Sequence, residues 1–328
     1  MDFFNSLWLD TPIWLWAGFA LLVVVLTAFD LGVLSAGNKE MDMGRSLRLS
    51  AFYIGIAMLF GVWVWWAKGD GAGMAYFTGF FIEKALSIDN VFVIAMIFGF
   101  FAIPARFQYR ALVWGIIAVI VLRGIMIAGG AAIVAHAHWV LYLFAAFLIA
   151  TGIKMLFVKD SDPDIGKNPV VRWLSARMRV TDQLHGQRFF VKVPDGATGK
   201  LVWAATPLFL ALVVINLADA VFAVDSVPAI FAITTDTFVI YTSNIMAILG
   251  LRALYFALSA MVHRFHYLKY ALALVLVFIG SKILVADFLL GGAKFPPLLS
   301  LGVTLGLIAG GVVYSLWKTG PQGAPARV

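Results

Sequence analysis

Nine long apolar runs divide this chain, and they limit its fold more than any other feature. They cover residues 12–34, 50–67, 75–101, 111–134, 139–158, 203–233, 238–261, 268–290 and 297–317. A helix needs about 20 mainly apolar residues to cross a hydrocarbon core. Its backbone polar groups must also be satisfied within the segment. The chain is therefore predicted to be an all-α polytopic membrane protein with about nine transmembrane helices. Composition agrees, with 62% hydrophobic and 12% charged residues against about 25% charged in a soluble domain. The sixth run is overlong and holds Pro207 and Pro228, so a helix break is expected at Pro228.

A net charge of +7 in a soluble chain would suggest nucleic acid as a partner. Here the basic residues gather in particular connections instead. With nine spans, one side receives 35–49, 102–110, 159–202, 262–267 and the C-terminal tail. Counted with Lys269, that side holds 17 of the 24 Lys and Arg, and the opposite side only Lys68 and Lys294. The positive-inside rule makes the basic side cytoplasmic. The expected placement is a multi-pass membrane protein, N-terminus outside and C-terminus cytoplasmic, with the lipid bilayer as its surroundings and no nucleic acid partner. The opening MDFFNSLWLD lacks the positive start of a secretory signal, so the first run is expected to stay as a span. There is no cysteine, which excludes disulfides and thiolate metal sites.

Against this apolar background, four acids stand in two matched pairs: Glu83 and Asp89 in EKALSIDNV, Asp219 and Asp225 in DAVFAVDSV. A carboxylate at a bilayer centre costs about 2.5–3.5 kcal/mol on insertion scales, so four at equivalent positions point to a site. The pairs belong to a longer duplication. VWGIIAVIVLRGIMI (113–127) aligns to TSNIMAILGLRALYF (242–256), matching Arg123 with Arg252, and GIKMLFVKD (152–160) to GSKILVAD (280–287), matching Lys154 with Lys282. A three-helix unit repeated directly enters the membrane from opposite sides, giving an inverted repeat, the architecture of many secondary transporters. The expected divisions are two N-terminal helices (1–74), a first three-helix repeat (75–158) and a cytoplasmic loop with a short basic helix and a hairpin (159–202). A second three-helix repeat (203–290) and a ninth helix with a cytoplasmic tail (291–328) follow.

On regular helices Glu83, Ser87 and Asn90 share one face, as do Asn216, Asp219 and Ser226. Asp89 and Asp225 would sit about 120° from their partner acids, and a break at Pro228 would turn Asp225 inward. Carboxylates, amides and hydroxyls are hard oxygen donors suited to Mg²⁺, Ca²⁺ and Mn²⁺. The candidate metal set is Glu83, Asp89, Asn90, Asn216, Asp219, Asp225 and Ser226, with Asp30, Arg123 and Arg252 as possible additions. The alternative is that the acids are ion-pair glue for Arg123, Arg252, Lys154, Lys282 and Lys84. Arg123 and Arg252 read more readily as counter-ions, and Lys154 as a snorkelling residue.

Other signals carry less. DSDPDIG (160–166) fails the calcium-loop pattern, with Gly displaced and Val171 at position twelve. His136, His138, His263 and His266 read as interfacial. No phosphate-binding loop is present.

EKALSIDNVFV, DAVFAVDSVPAIFAITTD and SNIMAILGLRALYF, with KNPVVRWL and RMRVTD, closely resemble the TerC family, in particular its Alx-type bacterial members. The resemblance covers nearly the whole chain. It implies an integral inner-membrane protein of the wider LysE-like transporter superfamily, associated with manganese export, metal homeostasis and tellurium resistance, with Glu83/Asp89 and Asp219/Asp225 in the metal-binding motifs. This chain departs from the family at Asn216, where relatives commonly carry Glu. The resulting expectation is a secondary transporter, not an enzyme, with no catalytic residue and no cofactor. It would export a divalent cation, Mn²⁺ first, in exchange for protons, and its oligomeric state is left open. A membrane scaffold or assembly factor is the alternative. An intramembrane aspartyl protease is disfavoured because Gly-x-Gly-Asp is absent.

Overall fold

The computed structural model describes residues 6–9, 11–35, 43–137, 139–157, 172–173, 177–181, 183–194, 201–258, 267–288 and 295–319. The side chains of 31–35, Asp89, Phe92 and Asp225 lie outside that description.

Two short strand pairs accompany the helices. β1 (Leu7–Trp8) pairs with β2 (Thr11–Pro12) before the first helix. The helices are α1 (Ile13–Ser35), α2 (Met43–Lys68), α3 (Asp70–Phe100), α4 (Ala105–His136) and α5 (Val140–Phe157). An antiparallel hairpin, β3 (Phe190–Pro194) with β4 (Leu201–Ala205), precedes α6 (Pro207–Phe231). Then come α7 (Thr237–Ile248), α8 (Leu251–Leu258), α9 (Leu268–Phe288) and α10 (Pro297–Lys318). Eight segments among the described residues are long and apolar enough to cross a membrane, with α7 and α8 counted together. α3 has the length, 31 residues, but carries Glu83, Lys84 and Asp89 near its middle.

Pairing between the two three-helix units is reciprocal. α4 packs on α6, α3 on α7, and α5 on α9. The last contact rests on two glycines. A Cβ on Gly152 would stand 2.6 Å from the Ala273 carbonyl oxygen, and one on Gly280 would stand 2.7 Å from that of Ala145. Only hydrogen allows backbones this close.

The expected break at Pro228 does not occur: α6 runs on to Phe231 with Pro228 inside it. Flanking turns and packed neighbours hold the helix there, as they commonly do in membranes. The break falls in the seventh run, between α7 and α8. Gly250 adopts φ +79°, and a Cβ on it would meet Tyr53 at 2.7 Å. Had the helix continued, the Leu251 N–H would bond to the Ala247 carbonyl. Lys84 Nζ takes that place, donating to Ala247 O at 3.0 Å. At its other end α7 is capped by Asp236, which accepts from Phe238 N (3.0 Å) and Val239 N (3.2 Å).

The α3–α4 link is fixed as tightly. Ile103 N donates to Phe98 O and Ala102 N to Gly99 O, with Ala102 at φ 49°. This is a Schellman closure with alanine in the position glycine favours. It sets the angle between the helices that carry Glu83 and Arg123.

Candidate metal centre

The middle of the bundle holds a polar cluster closed off from solvent. Glu83 is 3% exposed, Asp219 6% and Arg123 1%. Glu83 comes from α3, Arg123 from α4 and Asp219 from α6, so both units contribute. Arg123 Nη1 donates to Glu83 Oε1, to Ser226 Oγ at 2.9 Å and to Asn244 Oδ1 at 3.2 Å. Its Nε and Nη2 donate to Asp219 Oδ2 (3.4 Å) and Oδ1 (3.3 Å). Two carboxylates from repeat-matched positions thus meet on one guanidinium. Removing one partner from such a buried pair costs about 3–5 kcal/mol, because a charge is left uncompensated.

Asn244 was not among the sequence candidates. It sits on α7, where Thr242, Ser243 and Asn244 are all fully buried. The two hydroxyls bond back to their own helix, Thr242 to Phe238 O and Ser243 to Ile240 O. Asn244 reaches outward: its Nδ2 donates to Glu83 Oε2 at 3.0 Å. The repeat hides it, since its aligned counterpart is Gly115.

Of the predicted neutral donors, Asn90 and Ser226 hydrogen-bond within the cluster, while Asn216 bonds to its own helix. Asn90 Nδ2 donates to Asp219 Oδ1 at 3.3 Å, and its own Oδ1 is buried without a partner. Asn216 turns its Nδ2 to Leu212 O on its own helix, at 2.8 Å. Its Oδ1 is buried without a hydrogen-bond partner. The shared-face argument fixes a helical face but not which neighbour that face meets. Ser87 is spent on the Glu83 backbone carbonyl. Asp89 and Asp225 lie outside the described side chains, as do His138, His263, His266 and the 160–166 acidic turn. Among the described residues no group of three or more His, Cys, Asp and Glu converges as a metal set.

Arg252 takes a different partner from its repeat mate. Its Nη2 lies 2.5 Å from Asp30 Oδ1 and donates to the Asp30 carbonyl at 2.6 Å. The ring of Tyr109 stacks beneath the guanidinium, 4.5 Å from Cζ. Asp30 therefore belongs to a second ion pair, apart from the Glu83 cluster. The lysines diverge too: Lys154 is exposed, while Lys282 is buried and donates to Ser300 Oγ at 3.3 Å.

A mostly apolar cavity links the two ion pairs. Asn90, Asp219 and Arg252 are on its wall, and Leu112, Ile116 and Val119 carry it along α4 toward the α3–α4 connection. The same end of the bundle bears the hairpin, and Arg110 Nη1 donates at 2.7 Å to Gln187 O in the segment that leads into it.

Residues 68–322 match the family described as Integral membrane protein TerC family. An Escherichia coli (strain K12) protein named "Putative membrane-bound redox modulator Alx" is 43% identical over 316 residues, covering 94% of this chain and 95% of its own. The protein of that name from Photorhabdus laumondii is also 43% identical, over 92% of this chain and 94% of its own. A Myxococcus xanthus protein named "Uncharacterized membrane protein STKORF319" is 42% identical, over 93% of this chain and 92% of its own. No solved structure matches. With most of its length matched by the family and by relatives at this identity, the chain belongs to the TerC family of integral membrane proteins.

Proposed function

We propose that this protein is a secondary transporter that exports a divalent metal cation, Mn²⁺ first, across the bacterial inner membrane. The observation that carries the proposal is the meeting of Glu83 and Asp219, equivalent positions of two inverted units, at one buried point. Inverted-repeat transporters place their substrate sites at such an interface. Ser226 Oγ, Asn244 Oδ1 and the unpartnered Asn90 Oδ1 add neutral oxygens, and an all-oxygen set suits hard divalent ions. Asp89 and Asp225 complete the proposed ligand set. The excess of Lys and Arg on one side makes the cavity end cytoplasmic, so the cavity is the loading vestibule. Inward proton movement is the coupling we propose, together with membership of the LysE-like superfamily. The chain takes no enzymatic role, and without cysteine it offers no thiol for redox exchange.

The pairing of both acids with Arg123 favours a second reading, a membrane scaffold in which the charges serve packing. One experiment separates the two: metal tolerance and cellular metal content of a manganese-sensitive, exporter-deficient strain producing the native protein, Asp89→Asn or Asp219→Asn. Tolerance restored by the native chain and lost in variants of normal membrane abundance supports transport. Unchanged tolerance in both variants sinks it. Efflux indifferent to the pH gradient would remove the proton coupling alone.

A further inference from the structure

We propose that Arg123 is a resident cation, which fills the ion site when it is empty and sets its valence selectivity. The inference rests on the transport reading and deepens it. Every contact of the guanidinium in the cluster is to oxygen: Glu83 Oε1, both carboxylate oxygens of Asp219, Ser226 Oγ and Asn244 Oδ1. Those are the hard donors a divalent ion requires. A metal ion drawn into these oxygens competes with the guanidinium for their lone pairs and repels its positive charge, so loading the site means displacing Arg123.

Helical side chains lean toward the N-terminus of their own helix, and the cavity follows that direction along α4 past Val119 and Ile116. Asp219 and Asn90 belong both to the cluster and to the cavity wall. Asn90 gives an observation independent of Arg123. Its Nδ2 faces Asp219 while its Oδ1 is buried with no partner. Turning that amide over presents an oxygen in place of an N–H.

Valence selection follows from what must be displaced. A monovalent ion brings only the charge that the guanidinium already supplies, without its directed N–H donors. A divalent ion brings twice the Coulomb attraction to the same two carboxylates. When the ion leaves, Arg123 returns, and its single positive charge is shared between Glu83 and Asp219 in the unloaded protein.

The test is calorimetric titration of Mn²⁺ alone into the purified full chain, in native, Arg123→Gln and Arg123→Lys forms. Removing the competitor should tighten Mn²⁺ binding by about tenfold or more in Arg123→Gln. Excess Na⁺ should weaken binding in that variant and leave the native protein unaffected. Arg123→Lys, with the same charge but fewer donors, should fall between the two. If Arg123→Gln does not fold, the order of Arg123→Lys and native decides. Variants that unfold cooperatively near the native temperature yet bind Mn²⁺ no more tightly would overturn the competition and leave transport standing. No Mn²⁺ binding in any of the three folded proteins would overturn both.

Discussion

Gly152 and Gly280 are exchanged by a local twofold. Gly152 rests on Ala273 and Val277, seven and three residues before Gly280, and Gly280 on Ala145 and Ile149, seven and three residues before Gly152. Such a pattern requires α5 and α9 to run antiparallel, and it places the axis between them. Adding side chains here forces two backbones apart, a strain of about 1–3 kcal/mol. Gly152→Val and Gly280→Val should therefore destabilise by similar amounts, measured as thermal unfolding in one detergent. A large loss in one with none in the other would contradict the twofold.

Asn244 offers a sharper test of the cluster. Replacing it by Ala leaves Glu83 Oε2 without its donor and Arg123 Nη1 without one acceptor. Unsatisfied buried groups cost about 1–3 kcal/mol each. Asn244→Ala should thus lower stability by that order and also lower metal tolerance in the exporter-deficient strain. Stability lost with tolerance kept would make Asn244 a packing residue only.

The interruption between α7 and α8 depends on Gly250 and Lys84. A methyl group at position 250 meets Tyr53 and a left-handed backbone at once, so Gly250→Ala should cost more than the ~1 kcal/mol of strain alone. Lys84→Met removes the donor to the Ala247 carbonyl and should cost about 1–3 kcal/mol. Chemical denaturation of both single variants checks the pair. A Gly250→Ala protein as stable as the native one would mean that the break is not enforced there.

Asp30 and Arg252 should behave as one unit. Arg252→Met leaves a carboxylate without its counter-ion, at about 3–5 kcal/mol. Adding Asp30→Asn should recover part of that loss, giving a double-mutant coupling of 0.5–3 kcal/mol. Additive effects would show that the pair does not interact in the folded protein.

The sequence pattern carries the all-helical membrane fold because hydrophobic length is a local property: each run announces its own helix. Glu83 and Asp219 of the buried cluster were legible for the same reason, since a carboxylate in an apolar run has few explanations. What the pattern does not carry is partner choice. Arg123 and Arg252 align perfectly, yet one bridges two acids while the other pairs with Asp30 outside the repeat, because the Gly250 break reorients only the second. Pro228 looked like the natural breakpoint, but a proline can be absorbed where neighbours support the helix. A glycine at φ +79° has no such local signature. Asn244 was missed because it is neither charged nor repeated.

Glu83 and Lys84 are consecutive on α3, and they face different duties. One grips Arg123; the other plugs the open end of α7. They share a single turn, so a movement of that stretch of backbone carries both. A rotation of α3 that loosens the grip on Arg123 also draws the plug, freeing the last turn of α7 and the short α8 that holds Arg252. Latch and hinge are cut from the same piece of helix.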